Sequence, residues 1–208
     1  MLSLRSRLLS LAATAVTAVA VVPAVTASPA TAASLPCVTV PGVVSTCPAP
    51  AREACRNESL VPTRGNLGAV GRATLCLVNR QRARHHLAPL TAQRTLSRVA
   101  RRFAGLLVAD RFFDHTTPNG TTMVDRIKHT SYLRGGLSSW YIGENIAYGT
   151  GVLATPKAIV TAWMHSPGHR ANILDRHFRE VGLGVAMGAP DGSAGGATYV
   201  HDFGGRVR

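Results

Sequence analysis

Three short segments in the second half of the chain hold most of the side chains that could do chemistry. They read Phe-Phe-Asp-His-Thr (112–116), Gly-Glu-Asn-Ile-Ala-Tyr-Gly (143–149) and Trp-Met-His-Ser-Pro-Gly-His-Arg-Ala-Asn-Ile-Leu (163–174). Each sets a metal ligand or acid/base group, His115, Glu144 or His169, beside small or turn-forming residues. That is the pattern of a polar site carried on a rigid scaffold. Two imidazoles with one or two carboxylates suit zinc, which takes nitrogen and oxygen ligands and can keep a position for water. The groups are far apart in sequence, so only folding can bring them together.

Other pairings are weaker. His165 and His169 have the spacing of a zincin helix, but Ser166 stands where the general-base glutamate belongs and Pro167-Gly168 interrupts the helix. Ser166 near His169 lacks a Gly-x-Ser-x-Gly nucleophile elbow, and a helix-terminal hydrogen-bonding role suits it better. Arg170 and Asn172 read as braces of the loop. His85 and His86 lie at a helix end, and His129 and His177 read as surface loop residues.

Upstream elements must position these groups. Residues 1–33 join Arg5 and Arg7 to an apolar run from Leu8 to Val25 and small residues around Ala30-Thr31-Ala32, the make-up of a secretory signal peptide. Pro23 and the Ala/Val/Thr content make it a poor permanent span, so no membrane anchor is expected after cleavage and the protein is expected to be secreted and extracellular. Cys37, Cys47, Cys55 and Cys76 then face an oxidising compartment and should form two disulfides. Three pairings exist; proximity favours Cys37–Cys47 with Cys55–Cys76. Residues 34–65 are proline-rich and irregular, a disulfide-pinned extension ahead of one domain over 66–208.

The net charge is +13 with His neutral, and removing the two leader arginines leaves it strongly basic. Such a surface favours anionic partners such as cell-envelope polymers or acidic lipid. Sequence-specific nucleic-acid motifs are absent and aromatics are few, so no specific nucleic acid is expected.

Apolar periodicity predicts a helix over about 67–86, with Leu75, Val78, Asn79 and Arg82 on one face, and a second one capped by Thr91 and carrying Leu96, Val99, Ala100, Phe103, Leu106 and Leu107. Arg94, Arg98, Arg101 and Arg102 fall mostly off that stripe and read as a solvated face. Thr121 or Thr122 caps a short helix through Lys128, and Thr155-Pro156 starts another that stops near Ser166-Pro167-Gly168. Strands are predicted at 145–148, 181–186 and 197–203.

The ordered pattern Leu75-x-x-Val78-Asn79-x-x-Arg82, Phe113-x-His115, Gly143-Glu144-Asn145-Ile146-Ala147, Trp163 with Ser166-Pro167-Gly168-His169-Arg170-x-Asn172-Ile173, and Val181-Gly182-x-Gly184 resembles the bacterial branch of the CAP superfamily (cysteine-rich secretory, antigen 5 and pathogenesis-related 1, or SCP-like). The resemblance covers roughly residues 70–205. It implies an α+β fold, an α-β-α sandwich with a small antiparallel sheet between helical layers. It also implies a cleft with two histidines and two acids that can bind a divalent cation, zinc first. By motif these are His115, His169 and Glu144, supported by Asn145. The acid that follows the motif tryptophan in eukaryotic members is missing, and Asp125 fits the bacterial alternative. His201 stands where the family often has glutamine and is a further cleft candidate.

Three functions compete: a secreted binding module for a lipid, sterol or cell-envelope component; a metal-assisted hydrolase; and an interaction protein whose polar site stabilises the fold. No further catalytic signature favours an enzyme. A lipid-binding module should show apolar lining around the second helix or beside Trp140 and Tyr141.

Overall fold

The computed structural model describes residues 55–207. The expected signal peptide, Cys37 and Cys47 lie outside the described residues. Cys55 and Cys76 are bonded, as proximity predicted. Residues 55–66 lie as irregular turns against the helices: Lys157 N–H donates to the Glu58 carbonyl at 2.8 Å, and Arg80 pairs with Glu58 at 3.2 Å.

Five α-helices and a four-stranded sheet make up the described residues. Helix α1 spans Leu67–Arg84 and buries Val70, Ala73, Leu77 and Val78. Its polar positions grip the loop that follows. Asn79 exchanges two hydrogen bonds with the backbone of Leu90. Arg82, fully buried, donates Nε to the carbonyl of Ala88 (2.8 Å), Nη1 to those of Ile173 (2.8 Å) and Asp175 (2.9 Å), and Nη2 to that of Phe178 (3.1 Å).

Thr91 does not cap the next helix. Thr91–Ala92 form a two-residue strand, β1, parallel to β3 (Glu180–Met187), and Gln93 accepts from Leu96 N–H as the cap of α2 (Arg94–Ala109). The first residue able to cap lost to one two places on, because Thr91's backbone is drawn into the sheet. Helix α3 (Met123–Lys128) is capped by Thr122. Strand β2 (Ser139–Thr150) is far longer than its apolar core suggested. A 3₁₀ turn (Gly151–Ala154) leads to α4 (Pro156–His165). Pro167-Gly168 was expected only to end that helix. It also begins another, α5 (Pro167–Leu174), because proline is as well suited to a first helical position as to a break. Strand β4 (Gly196–Val207) closes the sheet in the order β1-β3-β4-β2, antiparallel apart from β1.

The sheet separates two layers, as the α+β sandwich requires. Ala100, Phe103 and Leu107 of α2 pack on Ile146 and Val200 on one face. On the other, Val70 and Leu77 of α1, Trp163 of α4 and Ile173 of α5 pack on Val181, Tyr199 and Phe203. Helix α2 lies so close to β3 that a Cβ at Gly182 or Gly184 would sit 2.3 Å from backbone atoms of Leu96 or Ala100. Among the described residues no helix is long and apolar enough to cross a membrane.

Gly184→Ala is therefore expected to lower stability by about 1–3 kcal/mol, the cost of overpacking a filled interior. Gly168→Ala, where nothing lies within 4 Å of the added carbon, should change it by about 0.5 kcal/mol or less. Urea unfolding of the oxidised protein would measure both, and equal effects would refute the close-packing account.

Candidate functional site

Glu144 projects from the edge strand β2 toward the α2 layer, with only 2% of its side chain exposed. A carboxylate so buried must be paired. Arg126 Nη2, from α3, donates to Oε2 at 2.7 Å, and His115 Nδ1, from the loop after α2, meets Oε1 at 2.8 Å. A carboxylate only accepts, so Nδ1 carries the imidazole proton and Nε2 is left for the exposed side of the ring. The bond to Glu144 is the main reason the His115 pKa is raised above its ordinary value.

Arg126 is itself only 9% exposed. Its Nη1 also donates to the carbonyls of His115 and Thr121, and its guanidinium lies 3.4 Å from the centre of the Phe103 ring. One side chain thus fastens the His115 loop, α3 and α2 to the edge strand. The other side of the site comes from α5. Asn145 Nδ2 donates to the His169 carbonyl at 3.0 Å, and Asn172 Nδ2 donates to the Glu144 carbonyl and to Asn145 Oδ1. His169 is half-buried. Burial, then the nearby charge of His115, lower its pKa below the ordinary imidazole value, the opposite direction to His115.

The fold brings together His115, Glu144 and His169, with Asn145 and Asn172 as braces. It does not bring Asp125 or His201. Asp125 closes a capping box: its Oδ2 accepts from Thr122 N–H at 3.0 Å and from Thr122 Oγ1 at 2.6 Å. Those bonds lower its pKa and hold it at its own helix start. His201 faces the opposite side of β4, fully buried with its ring 4.9 Å from that of Trp163, and burial pushes its pKa down to about 3. Ser166 caps α5 through its backbone alone, its carbonyl accepting from Arg170 N–H, and the Arg170 side chain is exposed. His177, expected as a plain surface residue, stacks on Tyr141 with ring centres 4.4 Å apart.

Two members of the site escaped the sequence. Arg126 lies on a short helix, and nothing in the local sequence marks it. Asp202 lay inside an expected strand, but only the register that sets it opposite Glu144 reveals it. Asp202 is fully buried, and neither oxygen has a donor among the described residues. Burial first, then the charge of Glu144, raise its pKa well above the ordinary carboxylate value, so its neutral form is favoured beside Glu144.

This arrangement does not fit the four-ligand metal site that the resemblance implied. Both Glu144 oxygens are engaged, one of them by a guanidinium that repels a cation, and Asp125 is held elsewhere. Among the described residues no group of three or more His, Cys, Asp or Glu side chains is arranged to hold an ion. Only the two imidazoles remain as ligands.

Beside the cluster, along α2, lies a cavity of about 790 Å³. Val99, Phe103, Leu106 and Pro118 supply its apolar wall, and Arg126 is shared between cavity and cluster. Arg98 and Arg102 were expected to face only solvent; they stand at this cavity, as does His129.

Two measurements test this account. A group with a raised folded-state pKa stabilises fully below its unfolded pKa and progressively less as pH rises toward the folded value. Asp202 should therefore erode stability above about pH 4, by up to about 1.4 kcal/mol per pH unit. Asp202→Asn, which keeps a donor without a charge, should flatten that slope and leave the protein at least as stable as wild type at pH 8. Marked destabilisation by the amide at pH 8 would mean that Asp202 is ionised. Zinc titration calorimetry at neutral pH should give no saturable heat. Saturable binding abolished by His115→Ala would overturn this expectation and assign the ion to the imidazole pair.

Comparison with known proteins agrees with the architecture. The chain is 38% identical over 108 residues to the uncharacterized protein YkwD of Bacillus subtilis, covering 52% of this chain and 39% of that one. It is 29% identical over 111 residues to the uncharacterized membrane protein YlbC of the same organism, covering 53% and 30%. The chain thus spans well under half the length of these curated relatives. Among solved structures it resembles an extracellular protein containing an SCP domain from Bacillus anthracis (TM-score 0.54, 25% identity, 68% of this chain and 43% of that one). An outer surface protein of Borrelia burgdorferi shares the fold (TM-score 0.54, 22% identity, 70% and 96%). The model of the cysteine-rich secretory protein family matches residues 75–203, well over half of the sequence, and the chain belongs to that CAP family.

Proposed function

We propose that this protein is an exported binding module that holds an amphiphilic ligand in the α2 cavity, with the His115–Glu144–Arg126 cluster at its polar side. The observation that carries this reading is the cavity itself. At about 790 Å³ it has the size of a small-molecule site, and its apolar wall comes from the second helix, where a lipid-binding module should show it. Half-buried Val99 and Leu106 complete the apolar stripe of α2 and, besides packing against the core, line this space. Export is supported by the leader-like residues 1–33 and by the extracellular relative from Bacillus anthracis.

A hydrolase is less well served. As a general base Glu144 would have to abandon a guanidinium and an imidazole that occupy both its oxygens. The cluster works instead as a preorganised polar wall, with a protonated His115 Nδ1 locked inward and Nε2 presented outward.

Binding is tested with 11-(dansylamino)undecanoic acid, whose emission rises and shifts to the blue in an apolar site. The oxidised protein purified from culture medium should give one saturable site. Leu106→Trp, which fills the cavity, should weaken it at least tenfold while the far-ultraviolet circular dichroism stays unchanged. Undiminished affinity in that folded variant would place the ligand elsewhere and sink the reading.

A further inference from the structure

We infer that the outer arc of α2 is a docking ridge for a linear envelope polyanion, a polyol chain with a phosphodiester at each repeat, gripped by Arg94, Arg98, Arg101 and Arg102. Arg98 and Arg102 also border the α2 cavity, but Arg94 and Arg101 do not. The ridge therefore belongs to the outside of the helix, and the amphiphile reading does not depend on it.

At 3.6 residues per turn the four arginines fall within about 100° of arc and along about 12 Å of helix axis. All four are exposed, and the buried side of α2, with Leu96, Ala100, Phe103 and Leu107, is turned the opposite way. Arg94 and Arg98, Arg98 and Arg101, and Arg98 and Arg102 stand three or four residues apart, where like charges repel. Nothing among the described residues relieves that repulsion. The arginine–carboxylate pairs belong to Arg80, Arg126 and Arg206, and α2 has no acid in its first turn. Asp110, the next acid along the chain, lies about 12 Å beyond Arg102 along the axis. An anion laid over the arc would remove the penalty.

Gly105 continues the same arc one turn beyond Arg101 and Arg102. A Cβ built there meets nothing within 4 Å, so no packing neighbour demands glycine inside this helix, where it is conformationally costly. Exposed Ala109 follows it on the arc. The two small residues leave a low lane in line with the arginines, with no bulky side chain where a polymer lying along the helix would continue.

The chemistry of the arc selects the occupant. Guanidinium groups suit phosphate because their parallel N–H groups match paired oxygens. A small anion reaches one or two of them, whereas a chain with a charge at each repeat engages the whole row, each contact raising the effective concentration for the next. A nucleic acid would leave its bases unheld, since the arc carries no aromatic residue and Phe103 is buried. A bilayer surface calls for apolar anchors beside the charge, and the exposed large apolar side chains all lie outside α2. The leader-like residues 1–33 would bring the protein to the envelope, where such a chain is met.

The test titrates fluorescein-labelled, deacylated poly(glycerol phosphate) with the oxidised protein and follows anisotropy at several salt concentrations. Wild type is expected to bind saturably, with a slope of log affinity against log salt of about −3, the value for four phosphate contacts on a flexible chain. Arg94→Gln/Arg98→Gln/Arg101→Gln/Arg102→Gln should weaken binding at least tenfold and flatten that slope. Arg56→Gln/Arg64→Gln/Arg72→Gln/Arg84→Gln, which removes four exposed charges outside α2, should weaken it less than threefold. Urea unfolding at low salt should find the α2 variant at least as stable as wild type, because mutual repulsion has been removed. Absence of saturable binding by the wild type would overturn the inference. So would an equal loss in both variants, which would trace binding to net charge. Oligodeoxythymidylate and phosphatidylglycerol vesicles are expected to bind more weakly per phosphate; tighter binding of either would assign the ridge to nucleic acid or to a bilayer and overturn the inference too. None of these outcomes bears on dansyl-probe binding by the wild type, so the ridge and the amphiphile site fail separately.

Discussion

Arg82 is the interaction on which the arrangement of layers depends. A guanidinium with no exposed surface must find acceptors for its donors, and here it finds four backbone carbonyls. They belong to Ala88 after α1, to Ile173 and Asp175 at the end of α5, and to Phe178 just before β3. None of these carbonyls has a helix or strand partner at such a terminus, so the buried charge and the orphaned acceptors satisfy one another. The result fixes α5 against α1 and the sheet. Helix α5 in turn carries His169 and Asn172 to the edge of β2, so the geometry of the polar site is set partly by a residue that never touches it.

The site repeats the same logic with the sign reversed. Glu144 is a buried anion, and its compensation recruits Arg126 from α3 and His115 from the loop after α2. A second carboxyl beside it is disfavoured as an anion in so enclosed a place, and burial, then the charge of Glu144, raise the pKa of Asp202. Three segments with no local reason to meet are held together by the need to neutralise one charge. The free edge of β2 is protected by the same neighbours: Asn172 takes the carbonyl of Glu144, and Trp163 Nε1 takes that of Ile146 at 3.2 Å. Capped carbonyls leave that stretch of edge unable to pair with another strand.

Arg126 joins this polar cluster to the cavity beside it. Its guanidinium covers the Phe103 ring, so the apolar wall of α2 and the charged network share a boundary one side chain thick. That boundary explains why the arginines of α2 divide into two groups. Position on the helix face, rather than charge, decides which of them faces plain solvent and which faces the cavity.

Much of this protein was legible in its sequence. The α1 and α2 stripes, the capped starts of α3 and α4, the three long strands and the trio His115, Glu144 and His169 follow from periodicity, capping chemistry and motif order, all of which are local. Asp125 misled because a helix-capping carboxylate and a ligand look alike in one dimension; the threonine three residues before it was the deciding neighbour. His201 and Asp202 show the limit most sharply. Adjacent residues of a strand face opposite layers, so the register of β4 against β2 sends one to the Trp163 core and the other to Glu144. The sequence alone determined the elements, the family pattern and which side chains had chemistry to offer. Tertiary structure alone decided which buried charges had to be paired, since pairing depends on burial and distance between segments far apart in the chain, and neither is written in local order.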